Sequence, residues 1–106
     1  GDIVLFSTDD GLFIKRIVGM PGETVEIVAG HVFINSIPLD ESSYPVNYVG
    51  DLAPTEVPAG CVFVLGDNRE EMYDSRLASV GCIPFEHIEA TLRLRVSPFN
   101  RITFFS

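Results

Sequence analysis

Basic residues are scarce in this chain. Seven Lys and Arg stand against fifteen Asp and Glu, a formal charge of −8 over 106 residues, and a surface of that sign argues against nucleic acid as a partner. The acids are dispersed, as in Asp9-Asp10, Asp40-Glu41 and Glu70-Glu71, and read as a solvated surface. Histidine and cysteine are scarcer still. His31 and His87 do not cluster with Cys61 and Cys82, so neither a metal site nor a cofactor is expected. The two cysteines are too far apart for a CxxC motif and too few for a disulfide framework; buried free thiols and a single bridge both stay open. Although 46% of the residues are hydrophobic, no run of about 18 apolar residues is present, so no segment reads as a membrane-spanning helix. Repeats and low-complexity segments are also missing. No charged leader region precedes Gly1-Asp2-Ile3-Val4-Leu5-Phe6, and so abrupt a start suggests a piece of a longer protein. The length fits a single domain, residues 1–106, around one core.

What is present is β-structure. Short β-branched and aromatic runs bounded by glycine and proline predict strands over residues 1–6, 12–18, 24–28, 31–35, 61–65, 90–96 and 102–105. Residues 7–11 read as a hairpin loop, and Ala29-Gly30 as a tight hairpin turn that leaves His31 facing solvent. Met20-Pro21-Gly22-Glu23 has the type II turn pattern. Residues 36–58 hold four prolines (Pro38, Pro45, Pro54, Pro58) and no sustained period, which predicts an irregular surface excursion, with Tyr44 and Tyr48 packing it onto the core. Cys61-Val62-Phe63-Val64-Leu65 is apolar throughout, as a buried central strand is. In residues 90–96, Arg93 and Arg95 alternate with Leu92, Leu94 and Val96, the pattern of a half-buried strand.

Two stretches carry chemistry. In the first, Lys15 and Arg16 sit inside an apolar strand; Lys15 shares a face with Phe13 and Ile17, and Arg16 shares the other with Leu12, Ile14 and Val18. Such a lysine either packs its stem on apolar surface and snorkels its amine to water or a carboxylate, or is desolvated and becomes a base. The second state would let it take a proton from a serine hydroxyl. Lowering a lysine from about 10.4 to near 7 amounts to roughly 4 to 5 kcal/mol against the charged form, which calls for a largely water-excluded site. The second stretch is Gly66-Asp67-Asn68-Arg69-Glu70-Glu71-Met72-Tyr73-Asp74-Ser75-Arg76, delivered by the buried strand. It reads either as a plain polar loop or as a scaffold in which Asp67, Asp74 and Arg76 fix one another at the edge of a site. Arg69 and Met72 spoil the alternation of oxygen ligands that a calcium loop needs.

Taken together, Gly1-Asp2-Ile3-Val4-Leu5-Phe6, Lys15-Arg16-Ile17-Val18-Gly19-Met20-Pro21-Gly22-Glu23 and Gly66-Asp67-Asn68-Arg69 with Asp74-Ser75-Arg76 resemble three consecutive signature boxes of the type I signal peptidases. Val57-Pro58-Ala59-Gly60 and Pro98-Phe99-Asn100-Arg101 fit as well. Each box is weak alone; their order and spacing are specific. The resemblance implies a mostly antiparallel all-β fold and a membrane-anchored serine endopeptidase that removes signal peptides from exported preproteins at the extracytoplasmic face of the cell membrane. It places Lys15 on the general base, Arg16 on its neighbouring arginine, Phe13 and Ile14 on the strand lining the shallow substrate pockets, and Asp67, Asp74 and Arg76 on the supporting scaffold. It implies contact with the membrane through a segment absent from this chain.

The sequence departs from that pattern at several points. The family's nucleophilic serine belongs to a segment before the Gly1-Asp2 box, and none of the eight serines here matches it, so the chain as given is expected not to hydrolyse peptides. Met72 stands where the family usually has a serine that helps orient the lysine, and a thioether is only a weak acceptor. Ser36 and Glu89 replace usual glycines. Two rival readings follow: a non-catalytic relative that only binds exported chains, and a self-cleaving Ser-Lys regulator of the phage-repressor kind, in which the Gly66-Asp67-Asn68-Arg69 box is not expected.

Overall fold

The computed structural model describes residues 2–8, 10–96 and 102–105, with backbone alone for 92–96 and 102–105. The strands are β1 (Ile3–Thr8), β2 (Gly11–Gly19), β3 (Thr24–Val28), β4 (His31–Ile34), β5 (Ile37–Pro38), β6 (Leu52–Glu56), β7 (Cys61–Leu65), β8 (Ile83–Pro84), β9 (Ile88–Val96) and β10 (Ile102–Phe105). A 3-10 turn, Phe85–His87, separates β8 from β9. The strands form a six-stranded sheet in the order β10-β9-β1-β2-β7-β8 and a four-stranded sheet in the order β5-β4-β3-β6. Among the described residues all pairings are antiparallel. The all-β expectation holds.

The turns follow their residues. Gly22 has φ +84°, the value a type II turn needs at its third position, and Glu23 N–H donates to the Met20 carbonyl at 3.0 Å. Ala29 and Gly30 both take positive φ, which closes the β3–β4 hairpin in two residues with Val28 opposite His31. His31 is exposed, as expected, and stacks on Tyr48 at 4.4 Å between ring centroids. The β1–β2 loop is shorter than expected. Thr8 pairs with Gly11, and the Tyr73 hydroxyl bonds to both Thr8 Oγ1 (3.0 Å) and Asp10 Oδ2 (2.6 Å), which lets the strands run further out.

The 36–58 segment is only partly irregular. β5 and β6 lie within it, and β6 pairs along β3 with Val25 opposite Thr55. Its sequence hides this because Pro54 interrupts the run. An edge strand tolerates a proline whose missing N–H would face outward.

The core gathers on both faces of β7. Phe63 and Leu65 join Val18, Val25, Ile27, Val32 and Val57 in one buried cluster. Val62 and Val64 join Val4, Phe6 and Ile83 in another, with Phe13 and Ile17 packed against it. The unbroken apolar run of β7 is thus explained by burial on two sides. Cys61 and Cys82 are free thiols packed beside the first cluster, and burial, reinforced by the charge of Cys61, pushes the Cys82 thiol up. The alternation of Arg93 and Arg95, and the Pro98-Phe99-Asn100-Arg101 stretch, lie outside the described side chains.

Candidate active site

Lys15 projects from the middle of β2, opposite Val4 of β1, and is half-buried. Arg16 lies opposite Leu65, so the antiparallel register carries Lys15 to the point where β7 runs out into Gly66. There the amine lies close to Gly66. A Cβ built on Gly66 would stand 3.1 Å from Lys15 Nζ and 3.6 Å from its Cδ, so a side chain there would push the end of the lysine aside by a few tenths of an ångström.

Gly66 is itself held at both ends. Its N–H donates to Asp74 Oδ2 at 3.2 Å, and its carbonyl accepts from Arg69 Nε at 2.6 Å. Asp74 is fully buried and takes both Arg76 Nε (2.9 Å) and a second guanidinium nitrogen (2.8 Å) in a bidentate pair. Ser75 completes the return of the loop beside β7: its N–H donates to the Val64 carbonyl at 3.0 Å, and Val64 N–H donates to its Oγ at 2.8 Å.

Asp67 belongs to a different pair. Arg16 Nε and a second guanidinium nitrogen each donate to its carboxylate at 3.0 Å, and this bond raises Arg16 above its ordinary range. The expected mutual fixing of Asp67, Asp74 and Arg76 is therefore replaced by two separate pairs, Arg16–Asp67 and Arg76–Asp74. Among the described residues Lys15 forms no ion pair. Asp67 and Asp74 are taken by arginines, while Glu71, which lines the same cleft, is exposed to water.

Lys15, Arg16, Gly66, Asp67, Asn68 and Glu71, with Ile3 and Ile14, line a cleft of about 270 Å³. Of the two strand residues expected to line substrate pockets, Ile14 is 62% exposed at this cleft. Phe13 instead turns inward and stacks on Tyr73 at 4.5 Å. Met72 is exposed and does not line the cleft.

The sequence reading missed a second layer. Glu41, expected on a solvated surface, is 4% exposed because it pairs with Arg69, which is 1% exposed. The Tyr44 hydroxyl donates to Glu41 Oε1 at 3.1 Å, and the Tyr44 ring lies 3.7 Å from the Arg16 guanidinium carbon. Asn47 Oδ1 accepts from Arg69 N–H at 2.6 Å. Residues 41–47 thus reach both Arg16 and the loop that begins at Gly66. The only signal for this was Tyr44 itself, an aromatic in a proline-rich stretch.

Burial pushes the Tyr44 hydroxyl up to about 12, helped by the charge of Glu41. The neutral phenol is favoured in the folded state, so its contribution to stability is complete below about pH 10 and is lost as pH rises through about 12. In an alkaline titration, the phenolate absorbance that Tyr44→Phe removes should appear near pH 12. A midpoint at the ordinary tyrosine value of 10.0 would contradict this environment.

Residues 1–97 match the family model described as signal peptidase, peptidase S26. The chain belongs to the signal peptidase I family. Signal peptidase I of Leptolyngbya laminosa is 39% identical over 96% of this chain and 54% of its own length. Signal peptidase I S of Bacillus subtilis is 34% identical over 96% and 61% respectively. The chain therefore spans about half to three fifths of these relatives. A crystal structure of a signal peptidase I from Enterococcus faecalis superposes with a TM-score of 0.71 at 32% identity, covering 87% of this chain and 93% of that one. Among the described residues no helix of this chain is long and apolar enough to cross a membrane.

Proposed function

We propose that this chain is the lysine-bearing part of a serine endopeptidase that removes signal peptides from exported preproteins at the extracytoplasmic face of the membrane. The observation that carries it is the placement of Lys15 close to Gly66 at a cleft, with no carboxylate paired to it among the described residues. Lys15 is only half-buried here, so the water exclusion a lysine base needs has to be completed by the rest of the protein or by bound substrate. Asp67 is paired with Arg16 and Asp74 with Arg76, so neither carboxylate holds the amine, and the reading gives Lys15 the part of the base.

In the reaction, Lys15 Nζ takes the proton of a serine hydroxyl while that oxygen attacks the scissile carbonyl carbon. The resulting ammonium returns the proton to the leaving amine, giving the acyl-enzyme and the freed mature chain. Lys15 then takes a proton from water, whose oxygen attacks the ester carbonyl carbon, and the ammonium returns that proton to the departing serine oxygen, which frees the signal peptide's carboxyl end and restores both groups. The serine comes from a part of the protein outside this chain, so residues 1–106 alone bind substrate without turning it over. Ile14, exposed at the cleft, receives the small side chains of the substrate, and Phe13 supports the strand from beneath.

To test this, the protein carrying its upstream segment is incubated with a preprotein peptide ending its signal in Ala-X-Ala, and with one in which both alanines are phenylalanine. Cleavage of the first alone is expected. Equal cleavage of both, or of neither, contradicts the reading. The rival, a binding module without catalysis, is favoured by Met72 in place of the usual serine and by the lack of a matching nucleophilic serine in residues 1–106; it requires binding with no turnover.

Gly66→Ala follows from the same geometry. The new methyl group would push the amine by a few tenths of an ångström. Since misplacing a catalytic group by about 1 Å costs on the order of a hundredfold, the expected result is a fall in kcat of up to about tenfold with little change in thermal midpoint. Unchanged kcat would show that Gly66 does not position the amine.

A further inference from the structure

We propose that Tyr44 is a positioning residue for Lys15, acting by holding Arg16 on Asp67 so that the Asp67 carboxylate cannot pair with the amine. The inference rests on the reading of Lys15 as base. Two carboxylates line the cleft with Lys15, Asp67 and Glu71. Glu71 is exposed to water and is unchanged in the variants below, whereas Asp67 is the more exposed partner of its pair, 39% against 11% for Arg16. A carboxylate so placed would convert a base into one half of a salt bridge. What prevents it is the bidentate grip of Arg16, whose two donors lie in the plane of the guanidinium.

The Tyr44 ring covers that guanidinium at 3.7 Å. A flat ring over a flat cation leaves the in-plane N–H groups free for the carboxylate while denying the face to water, so the two contacts are compatible and reinforce one another. The ring is anchored from behind. Its hydroxyl donates to Glu41 Oε1 at 3.1 Å, and the buried Glu41 is fixed by Arg69, whose Nε also holds the Gly66 carbonyl at 2.6 Å. One short segment therefore braces the two surfaces that flank Lys15: the Arg16–Asp67 pair and the Gly66 backbone. Tyr44 is not among the residues that line the cleft and acts through Arg16, which makes it a positioning residue.

The test uses the protein with its upstream segment, cleaving an Ala-X-Ala peptide across a range of pH. Tyr44→Leu removes the ring; Tyr44→Phe keeps it and removes only the hydroxyl. In Tyr44→Leu, kcat is expected to fall about 10- to 100-fold with KM within about threefold. The acidic limb of the pH profile moves to higher pH by about one unit, because a freed Asp67 stabilises the ammonium. Tyr44→Phe keeps the parental limb. A merely structural role would lower the thermal midpoint without moving the limb, and that result overturns the proposal, as does a limb shift equal in both variants. If Tyr44→Leu does not fold, Tyr44→Met, apolar and without a ring, takes its place with the same expectation. Lys15→Met is run alongside: if it cleaves like the parent, the reading of Lys15 fails, whatever Tyr44 does.

Discussion

Lys15→Met is expected to lower cleavage of an Ala-X-Ala peptide by at least about a thousandfold, since the nucleophile and its base act as a unit and removing either forfeits most of their joint effect. Methionine is the informative replacement because it keeps the length and the apolar stem of lysine. Lys15 is half-buried on a strand whose same-face neighbours, Phe13 and Ile17, pack against the core, so an alanine would also leave a gap. With methionine the fold is kept and only the amine is lost. Initial rates at saturating substrate, together with a thermal melt showing the parental midpoint, check the expectation. Activity within about tenfold of the parent would mean that Lys15 is a snorkelling surface lysine whose position at the cleft is incidental.

The largest stability effect is expected at Arg69. Its side chain and that of Glu41 are 1% and 2% exposed, and Arg69→Met leaves the Glu41 carboxylate buried without its cation. Losing one member of a buried pair costs about 3 to 5 kcal/mol, a large part of the roughly 5 to 15 kcal/mol that holds a domain together. The cost is raised by what else Arg69 does: its Nε closes the turn on the Gly66 carbonyl at 2.6 Å. Replacing both partners, as Arg69→Met with Glu41→Leu, should recover much of the loss, because no uncompensated charge is then buried. Urea unfolding midpoints of the parent, the single and the double variant check this. A single variant within about 1 kcal/mol of the parent would contradict the arrangement, and so would a double variant less stable than the single.

These two cases also show how legible the molecule was. Lys15 stood out because a cation inside an apolar strand violates the usual pattern, and Gly66-Asp67-Asn68-Arg69 because a buried strand ran straight into it. β7 was legible from its unbroken apolar run, and the turn at Pro21-Gly22 from residues with few conformational choices. Glu41 was not legible. Next to Asp40, in a stretch full of prolines, its charge looked solvated, and only its meeting with Arg69, 28 positions away, makes burial possible. The same holds for the partners of Asp67 and Asp74. The sequence spacing put Asp67, Asp74 and Arg76 together, whereas the β2–β7 pairing carries Arg16 to Asp67 and leaves Arg76 for Asp74. β6 escaped notice because its stabilisation is backbone pairing on an edge, which Pro54 permits and no side-chain alternation advertises.

The most direct test of the central claim is the mass of the products when the protein with its upstream segment meets an intact preprotein. A single cut immediately after the Ala-X-Ala motif, absent in Lys15→Met, is the result expected of a lysine-based signal peptidase. A preprotein that is bound but recovered whole would contradict it and leave the cleft as a binding site alone.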